Sequence, residues 1–408
     1  MVEFFQVQSL EQAVAHLESF DPVGEEQVSL EFALDRALSR PLTSTEDLPP
    51  FPRATMDGYA VRAQDTFGAS EGSPALLQLT GESLMGQAPS VSVHQGEAVR
   101  IATGAMLPEG ADAVVMVEYT DNLDDETLEV YRSLAPGQNV VAKGEDVTKG
   151  KVILPAGWPL RPQDIGLIAA LGIDKPWVHQ RPVVAILSTG DEVVPVGEQP
   201  RLGQVRDTNG PAIAALVMRA GGVPLNLGVV PDKRDLLEER IREGLTRSHC
   251  VMLSGGSSVG ARDYALEVIK GLEGAEILAH GLAVKPGKPT LIVRVGAKPV
   301  LGLPGHPVSA LVIFHILGSP LLDRLCGREF PRKPRPIRAQ IARNLASAQG
   351  REDYVRVTLS EEVGEITAHP VLGSSGLIGN LVRAEGLVRI DRNSEGLSRG
   401  EWVEVELL

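Results

Sequence analysis

The chain is poor in several things that would point to particular functions. Only two of its 408 residues are cysteine, Cys250 and Cys326. Both lie in apolar surroundings, which predicts buried free thiols rather than a disulfide framework or a thiolate metal site. Aromatic residues make up 4% of the chain, too few for platforms that stack single-stranded bases. No long basic run occurs and the formal net charge is -14, which argues against a nucleic-acid or anionic-membrane surface. The eight histidines show no metal-ligand spacing and no H-E-x-x-H. There is no G-K-S/T phosphate loop, no G-x-G-x-x-G, no secretory apolar core near Met1 and no internal repeat. No apolar run is read as long enough to span a bilayer. A cytoplasmic globular chain of two to four domains is the expectation.

What is present changes along the chain. Ser9 is a candidate N-cap for an amphipathic helix over 9–19, and Val28 to Leu38 repeats the helical spacing. A proline-dense passage, Asp47-Leu48-Pro49-Pro50-Phe51-Pro52, then stiffens the chain. From Asp57-Gly58 to about residue 140, short apolar runs alternate with glycine turns and predict a small β domain. Pro162 to Leu171 reads as a helix stopped by Gly172. From Arg181 onward, apolar runs of strand length (Val183–Leu187, Val223–Val230, His249–Leu253, Leu291–Val295, Val300–Leu303) alternate with helical patterns. That alternation predicts a three-layer parallel α/β domain. After a basic, proline-rich linker at 327–336, five short alternating runs predict a small β-barrel or sandwich. The expected division is 1–45 with 141–178 as an elongated α+β domain, with packing of 1–20 on the α/β domain as the alternative. An inserted β domain follows at 46–140, then the α/β domain at 179–327 and a C-terminal β-barrel at 337–408.

In an open parallel sheet, ligands bind beyond the carboxyl ends of the strands. Three predicted strands end there in glycine-containing loops: Ser188-Thr189-Gly190-Asp191-Glu192, Ser254-Gly255-Gly256-Ser257-Ser258, and Pro304-Gly305-His306-Pro307. Glycines let the backbone approach an anion, and a helix N-terminus carries about half a positive charge. Asp191, Glu192, Asp207, Asp232 and Asp263 supply acids; Arg206 and the Lys285-Pro286-Gly287-Lys288-Pro289 turn supply cations. Amides and lysines suit a phosphate or another tetrahedral oxyanion, and carboxylates beside them suit Mg²⁺ bridging to it. Each residue also has a plainer use. Asp232 and Asp263 stand where helix N-caps are expected, and Lys285, Lys288 and Asp57 stand at turns.

Taken in order, these motifs resemble the molybdopterin molybdenumtransferase family (MoeA, and the E domain of gephyrin). The resemblance is carried by Met56-Asp57-Gly58-Tyr59-Ala60-Val61, Ile101-Ala102-Thr103-Gly104-Ala105, Gly144-Glu145-Asp146, the three loops above, Arg206-Asp207-Thr208-Asn209, and Lys285-Pro286-Gly287-Lys288-Pro289. Leu303-Pro304-Gly305 followed by Pro307-Val308-Ser309 completes it. The resemblance implies a four-domain subunit, with an α/β domain like that of molybdopterin adenylyltransferase, in an elongated homodimer. It implies insertion of molybdate into adenylated molybdopterin with release of AMP and involvement of Mg²⁺. Ser258, Asp263, Lys285, Lys288 and Ser309 then match positions tied to the adenylated pterin, the metal ion and the oxyanion; Glu192 and Asp232 match acids of the same cleft, with Asp57, Thr103 and Asp146 reaching it from the partner subunit. Arg356 and Ser375 match a molybdate entry site, with Arg351 and Ser374 as alternatives. Ser257 stands where Val is usual, and His306 where Asn or Tyr is common, so tungstate stays open as the oxyanion.

Other implied partners are the adenylyltransferase and the downstream cofactor-modifying or apo-molybdoenzyme proteins, with neither nucleic acid nor membrane. A non-catalytic scaffold of the gephyrin type and adenylyl transfer are the competing functions. The retained acids and lysines speak against the first, and the segments flanking the α/β domain against the second. Lys288→Ala and Asp263→Ala are expected to abolish molybdate-dependent AMP release while the dimer stays folded. Near wild-type release in both variants, measured by chromatography, would remove the site assignment.

Overall fold

A computed structural model describes residues 7–255, 264–330, 335–362 and 364–408. The chain forms two compact units. One comprises 1–40, 156–162 and 175–408; the other comprises 41–155 and 163–174.

The smaller unit is built on a six-stranded sheet. Strand Gly58–Val61 lies inside it, antiparallel to both Glu97–Ile101 and Ala113–Met116. All four of its residues are buried, as expected for a strand covered on both faces. Tyr59 and Val61 join Leu77, Val115 and Leu128 in one core, whereas Ala60 joins Ile101, Leu107 and Val114 in another. A Cβ built on Gly58 would lie 1.8 Å from the Val115 carbonyl oxygen, so only glycine lets these two strands approach this closely.

The larger unit holds a second six-stranded sheet. In spatial order its strands are Val223–Val230, Val183–Thr189, Cys250–Ser254, Lys298–Leu303, Leu291–Val295 and Ala275–His280. The first four are parallel. Alternation along the strands sends side chains to two cores. Val184, Ile186, Cys250 and Met252 pack with helices Leu10–Leu17, Asn209–Arg219 and Pro307–Ile313. Ala185, Leu187, Val251 and Leu253 pack with helices Arg234–Arg247 and Tyr264–Lys270. Full burial of each Leu or Ile here is worth about 1.5–3 kcal/mol. Both thiols, Cys250 and Cys326, are free and buried, and burial pushes them up to about 12 and about 11.

Three expectations need correction. The sheet is not wholly parallel, because Leu291–Val295 runs against both of its neighbours. Only Gly296 and Ala297 separate it from the next strand, and two residues can close a hairpin but not a parallel crossover. Ala275–His280 is an additional strand that the sequence pattern did not announce. Residues 28–38 are not a helix beyond one 3-10 turn at Leu30–Phe32. Asp35 takes positive φ, and the backbone of 35–38 instead bonds that of 157–160: Asp35 to Leu160, Leu160 to Arg36, Leu38 to Trp158, and Gly157 to Leu38. A non-local ladder thus replaces the helical bonds. Finally, residues 307–325 form a continuous 19-residue helical stretch, long and apolar enough by composition to cross a bilayer. It is mostly buried as the core helix beneath the sheet, with a π segment at Phe314–Gly318.

Strands Ile337–Ile341, Glu352–Glu362, Glu365–Pro370, Gly386–Ile390 and Trp402–Leu407 close into a five-stranded barrel, since Glu352–Glu362 pairs with both Glu365–Pro370 and Gly386–Ile390. Closure leaves little free sheet edge, the start of Glu352–Glu362 being one stretch that stays open. A two-residue strand of the α/β body, Val284–Lys285, adds to this barrel in parallel with Glu352–Asp353. Gly58→Ala is expected to destabilise the smaller unit by about 2 kcal/mol or more, because the added methyl meets backbone that cannot swing aside. Denaturant unfolding of variant and wild type measures it.

Candidate functional site

The three strand-end loops open into one cleft of about 1460 Å³ inside the larger unit, walled on the other side by the barrel. Ser188, Thr189, Gly190, Glu192, Asp232, Ser254, Gly255, Pro304, Gly305, His306 and Ser309 all line it. So do Lys285, Lys288, Arg356 and Ser375. Gly256, Ser258 and Asp263 lie outside the described residues. Asp57, Thr103 and Asp146 belong to the smaller unit.

The loops are held together by buried polar groups. Asn209, 6% exposed, donates from Nδ2 to Ser254 Oγ at 2.7 Å and to the Gly305 carbonyl at 2.8 Å. One amide therefore ties the second loop to the third. Asn209 is the first residue of its helix, and its side chain works across the sheet edge. Asp207 is also structural. It accepts from Ser188 Oγ and from the Gly210 N–H, both at 2.9 Å, so the first loop is pinned to the helix that follows. Gly255 takes φ +99°, and a Cβ there would lie 2.3 Å from the Thr189 carbonyl, so glycine allows the first and second loops to touch.

Asp232 does not cap a helix. Lys233 occupies that position, and the Asp232 carboxylate accepts the Thr189 hydroxyl at 2.5 Å. Its own N–H donates to Asp191 at 3.1 Å. Glu192 lies against Gly190 in the same loop, so two carboxylates flank residues 189–190. Among the described residues no group of three His, Cys, Asp or Glu side chains is placed to hold a metal. Glu192 and Asp232, two carboxylates lining the cleft, nevertheless fit Mg²⁺, which commonly takes one or two protein carboxylates and completes its shell with phosphate and water.

The cationic wall is set from the other side. Lys285 pairs in register with Asp353, and its Nζ lies 3.8 Å from that carboxylate. Arg351 donates to the same carboxylate, at 2.8 Å from Nε. Gly287 and Lys288 are anchored through Thr290, whose hydroxyl donates to the Gly287 carbonyl and whose N–H donates to that of Lys288. Arg356 is 9% exposed and donates to the carbonyls of Val371 and Gly373, and burial lowers its pKa from the ordinary value. His306 Nδ1 lies 2.9 Å from Ser375 Oγ, and the Val308 N–H donates to the Ser375 carbonyl. His306 therefore links the third loop to the barrel segment that carries Ser375. Both alternatives, Arg351 and Ser374, line the cleft too. Sequence reading gave Asp353 no role, because its pairing with Lys285 exists only in the fold.

In the smaller unit Asp57 and Thr103 form a pair. Asp57 Oδ1 accepts the Thr103 N–H at 2.7 Å and its hydroxyl at 2.9 Å. These two bonds, the backbone one first, hold the Asp57 carboxyl below its ordinary value. Their stabilising contribution is present above the unfolded-state pKa and is lost as pH falls through the depressed folded value. In Thr103→Val the Asp57 midpoint is expected to rise yet remain below the ordinary value, since the backbone donor persists. Carboxyl-carbon NMR titration reads it, and an unchanged midpoint would exclude the hydroxyl as a cause.

Comparison with known proteins agrees with this geometry. Residues 8–172 match the MoeA N-terminal region, domains I and II. Residues 185–324 match a molybdopterin-binding domain, and 338–408 match the MoeA C-terminal region, domain IV. The chain is 34% identical over 387 residues to the molybdopterin molybdenumtransferase of Haemophilus influenzae, covering 94% of each. It is 30% identical over 404 residues to that of Bacillus subtilis, covering 98% of this chain and 94% of the relative. The solved MoeA protein of Pyrococcus horikoshii superposes with a TM-score of 0.84 at 38% identity, covering 98% of this chain and 99% of that one. By fold, by three consecutive regional matches and by full-length likeness, the chain belongs to the MoeA family.

Proposed function

We propose that the chain acts in molybdenum cofactor biosynthesis as a molybdopterin molybdenumtransferase, inserting molybdate into adenylated molybdopterin and releasing AMP. The observation that carries this reading is the convergence of the three strand-end loops, the Lys285–Lys288 turn and the Arg356–Ser375 wall on one cleft. Two substrates that are both anions must be brought together there. The protein's part is positioning and charge neutralisation. Loop amides and the Ser309 hydroxyl receive the adenylated pterin phosphate, while the Ser188 and Thr189 hydroxyls, bonded to Asp207 and Asp232, hold the loop in shape. Lys285 and Lys288 offset its charge. Arg356 and Ser375 receive the tetrahedral oxyanion, with His306 orienting the Ser375 hydroxyl. Mg²⁺, held by Glu192 and Asp232 with Asp263, would neutralise phosphate charge as AMP leaves.

The reading extends to a homodimer in which Asp57, Thr103 and Asp146 are supplied by a second copy of the chain. Asp57 and Thr103 bond each other in the smaller unit, and this fixed polar pair supports that role. Buried unpaired thiols accord with a cytoplasmic setting, where thiols stay reduced. The substrate must come from an adenylyltransferase acting on molybdopterin, and the product must pass to cofactor-modifying or apo-molybdoenzyme proteins. Incubation of the protein and Mg²⁺ with adenylated molybdopterin, with molybdate or with tungstate, is expected to release AMP only when an oxyanion is present. Release with tungstate alone would identify a tungstate-inserting enzyme, whereas release with neither would leave the scaffold function.

A further inference from the structure

One carboxylate in the cleft wall has no part in the reading above. Asp353 lies on the barrel strand Glu352–Glu362 and is 4% exposed. Its Oδ1 accepts from Arg351 Nε at 2.8 Å, and its Oδ2 lies 3.4 Å from the second Arg351 donor and 3.8 Å from Lys285 Nζ. A carboxylate this buried is costly unless neutralised. The two cations that neutralise it are themselves open to the cleft, with side chains 37% and 61% exposed.

Backbone pairing alone cannot place the Lys285 ammonium. The parallel register of Val284–Lys285 with Glu352–Asp353, extended by the Glu352 N–H donating to the Ala283 carbonyl, fixes the Lys285 main chain. Four carbons then separate that main chain from the charge, and each rotatable bond must be ordered for the charge to stand in one place. Among the described residues Asp353 is the ion-pair partner of Lys285. The Arg351 fork keeps the carboxylate from turning away, because a planar guanidinium grips both oxygens where an ammonium could not.

We infer that Asp353 is a positioning residue of this site, holding Lys285 and Arg351 side by side as a paired anion-binding edge, so that the barrel determines where Lys285 stands. The trio carries one net positive charge toward the cleft, and its geometry is set before any anion arrives. The inference rests on the reading of the cleft as the place where pterin phosphate and oxyanion meet. It assigns the C-terminal barrel a direct part in charge placement, beyond supplying Arg356 and Ser375.

A double-mutant cycle on the full chain tests it, with molybdate-dependent AMP release as the readout. Asp353→Asn is expected to lower release about tenfold in the wild-type background and by no more than about threefold in a Lys285→Ala background, because without Lys285 only Arg351 is left for it to position. Equal losses in both backgrounds, or none in the first, would overturn the inference. If Asp353→Asn does not fold by thermal unfolding, Arg351→Lys takes its place in the same cycle. It keeps the carboxylate neutralised but removes the two-point grip, and additive losses would again overturn the proposal. A second readout needs no substrate. In protein carrying ¹³C-dimethylated lysines, with Lys285→Arg identifying the resonance, the Lys285 methyls should be ordered in wild type and as mobile as a solvated lysine in Asp353→Asn. Equal mobility in the two proteins would overturn the inference. Absence of AMP release from wild type itself would count against the functional reading alone, leaving the methyl signal to decide the role of Asp353.

Discussion

Two-sided burial of one strand sets the rest of the site. Cys250–Ser254 runs parallel between Val183–Thr189 and Lys298–Leu303, and every one of its residues is buried. Three adjacent parallel strands must end at the same edge of the sheet, so their loops emerge together. The hydrophobic energy is in the strands, but the consequence is polar. Backbone amides and small hydroxyl side chains gather where water is partly excluded, which is where fixed dipoles act most strongly on an anion.

What the strands bring near, a few buried polar groups then lock. Asn209 and Asp207 take no evident part in chemistry, yet between them they bond Ser188, Gly210, Ser254 and the Gly305 carbonyl. Leaving any of these groups unpaired would cost about 1–3 kcal/mol. The same economy holds on the barrel side, where Asp353, Arg356 and Ser375 all bond groups within the cleft wall. Glu192 and Asp232 stand at the ends of the sheet strands, whereas Lys285, Lys288, Arg351 and Arg356 stand on the turn and barrel, where Asp353 is buried between two of them. A chain whose overall charge is strongly negative can still receive anions when its cations are concentrated in this way.

Much of this was legible from residue order. Uniform apolar runs announced the buried parallel strands, and alternating ones the barrel, because burial on two faces or on one leaves different periodicities. The three glycine loops were identifiable because each directly follows such a run. Two of the misreadings share a cause. Residues 28–38 have helical spacing, but their backbone partners lie more than a hundred residues away, and local pattern cannot weigh a distant ladder against a helix. Asp232 looked like an N-cap because it precedes a helix; Thr189, its actual partner, comes from a strand whose position only the sheet defines. The antiparallel strand Leu291–Val295 was identified as a strand but given the wrong direction, although the two-residue connection to its neighbour carried that information.

Sequence by itself determined which residue types were available for anion chemistry, the strand-then-glycine-loop units that present them, and, through ordered motifs, the family. Tertiary structure alone decided which of these units share a cleft and which side chain holds which. Asn209 and Gly305 are far apart in the chain, and so are Lys285 and Asp353. Their contacts follow from sheet order and strand register, which arise from the joint packing of all the apolar faces rather than from any local segment. For that reason the Lys-Pro-Gly-Lys-Pro turn could be recognised as a source of positive charge, while the carboxylate that holds one of its lysines in place could not.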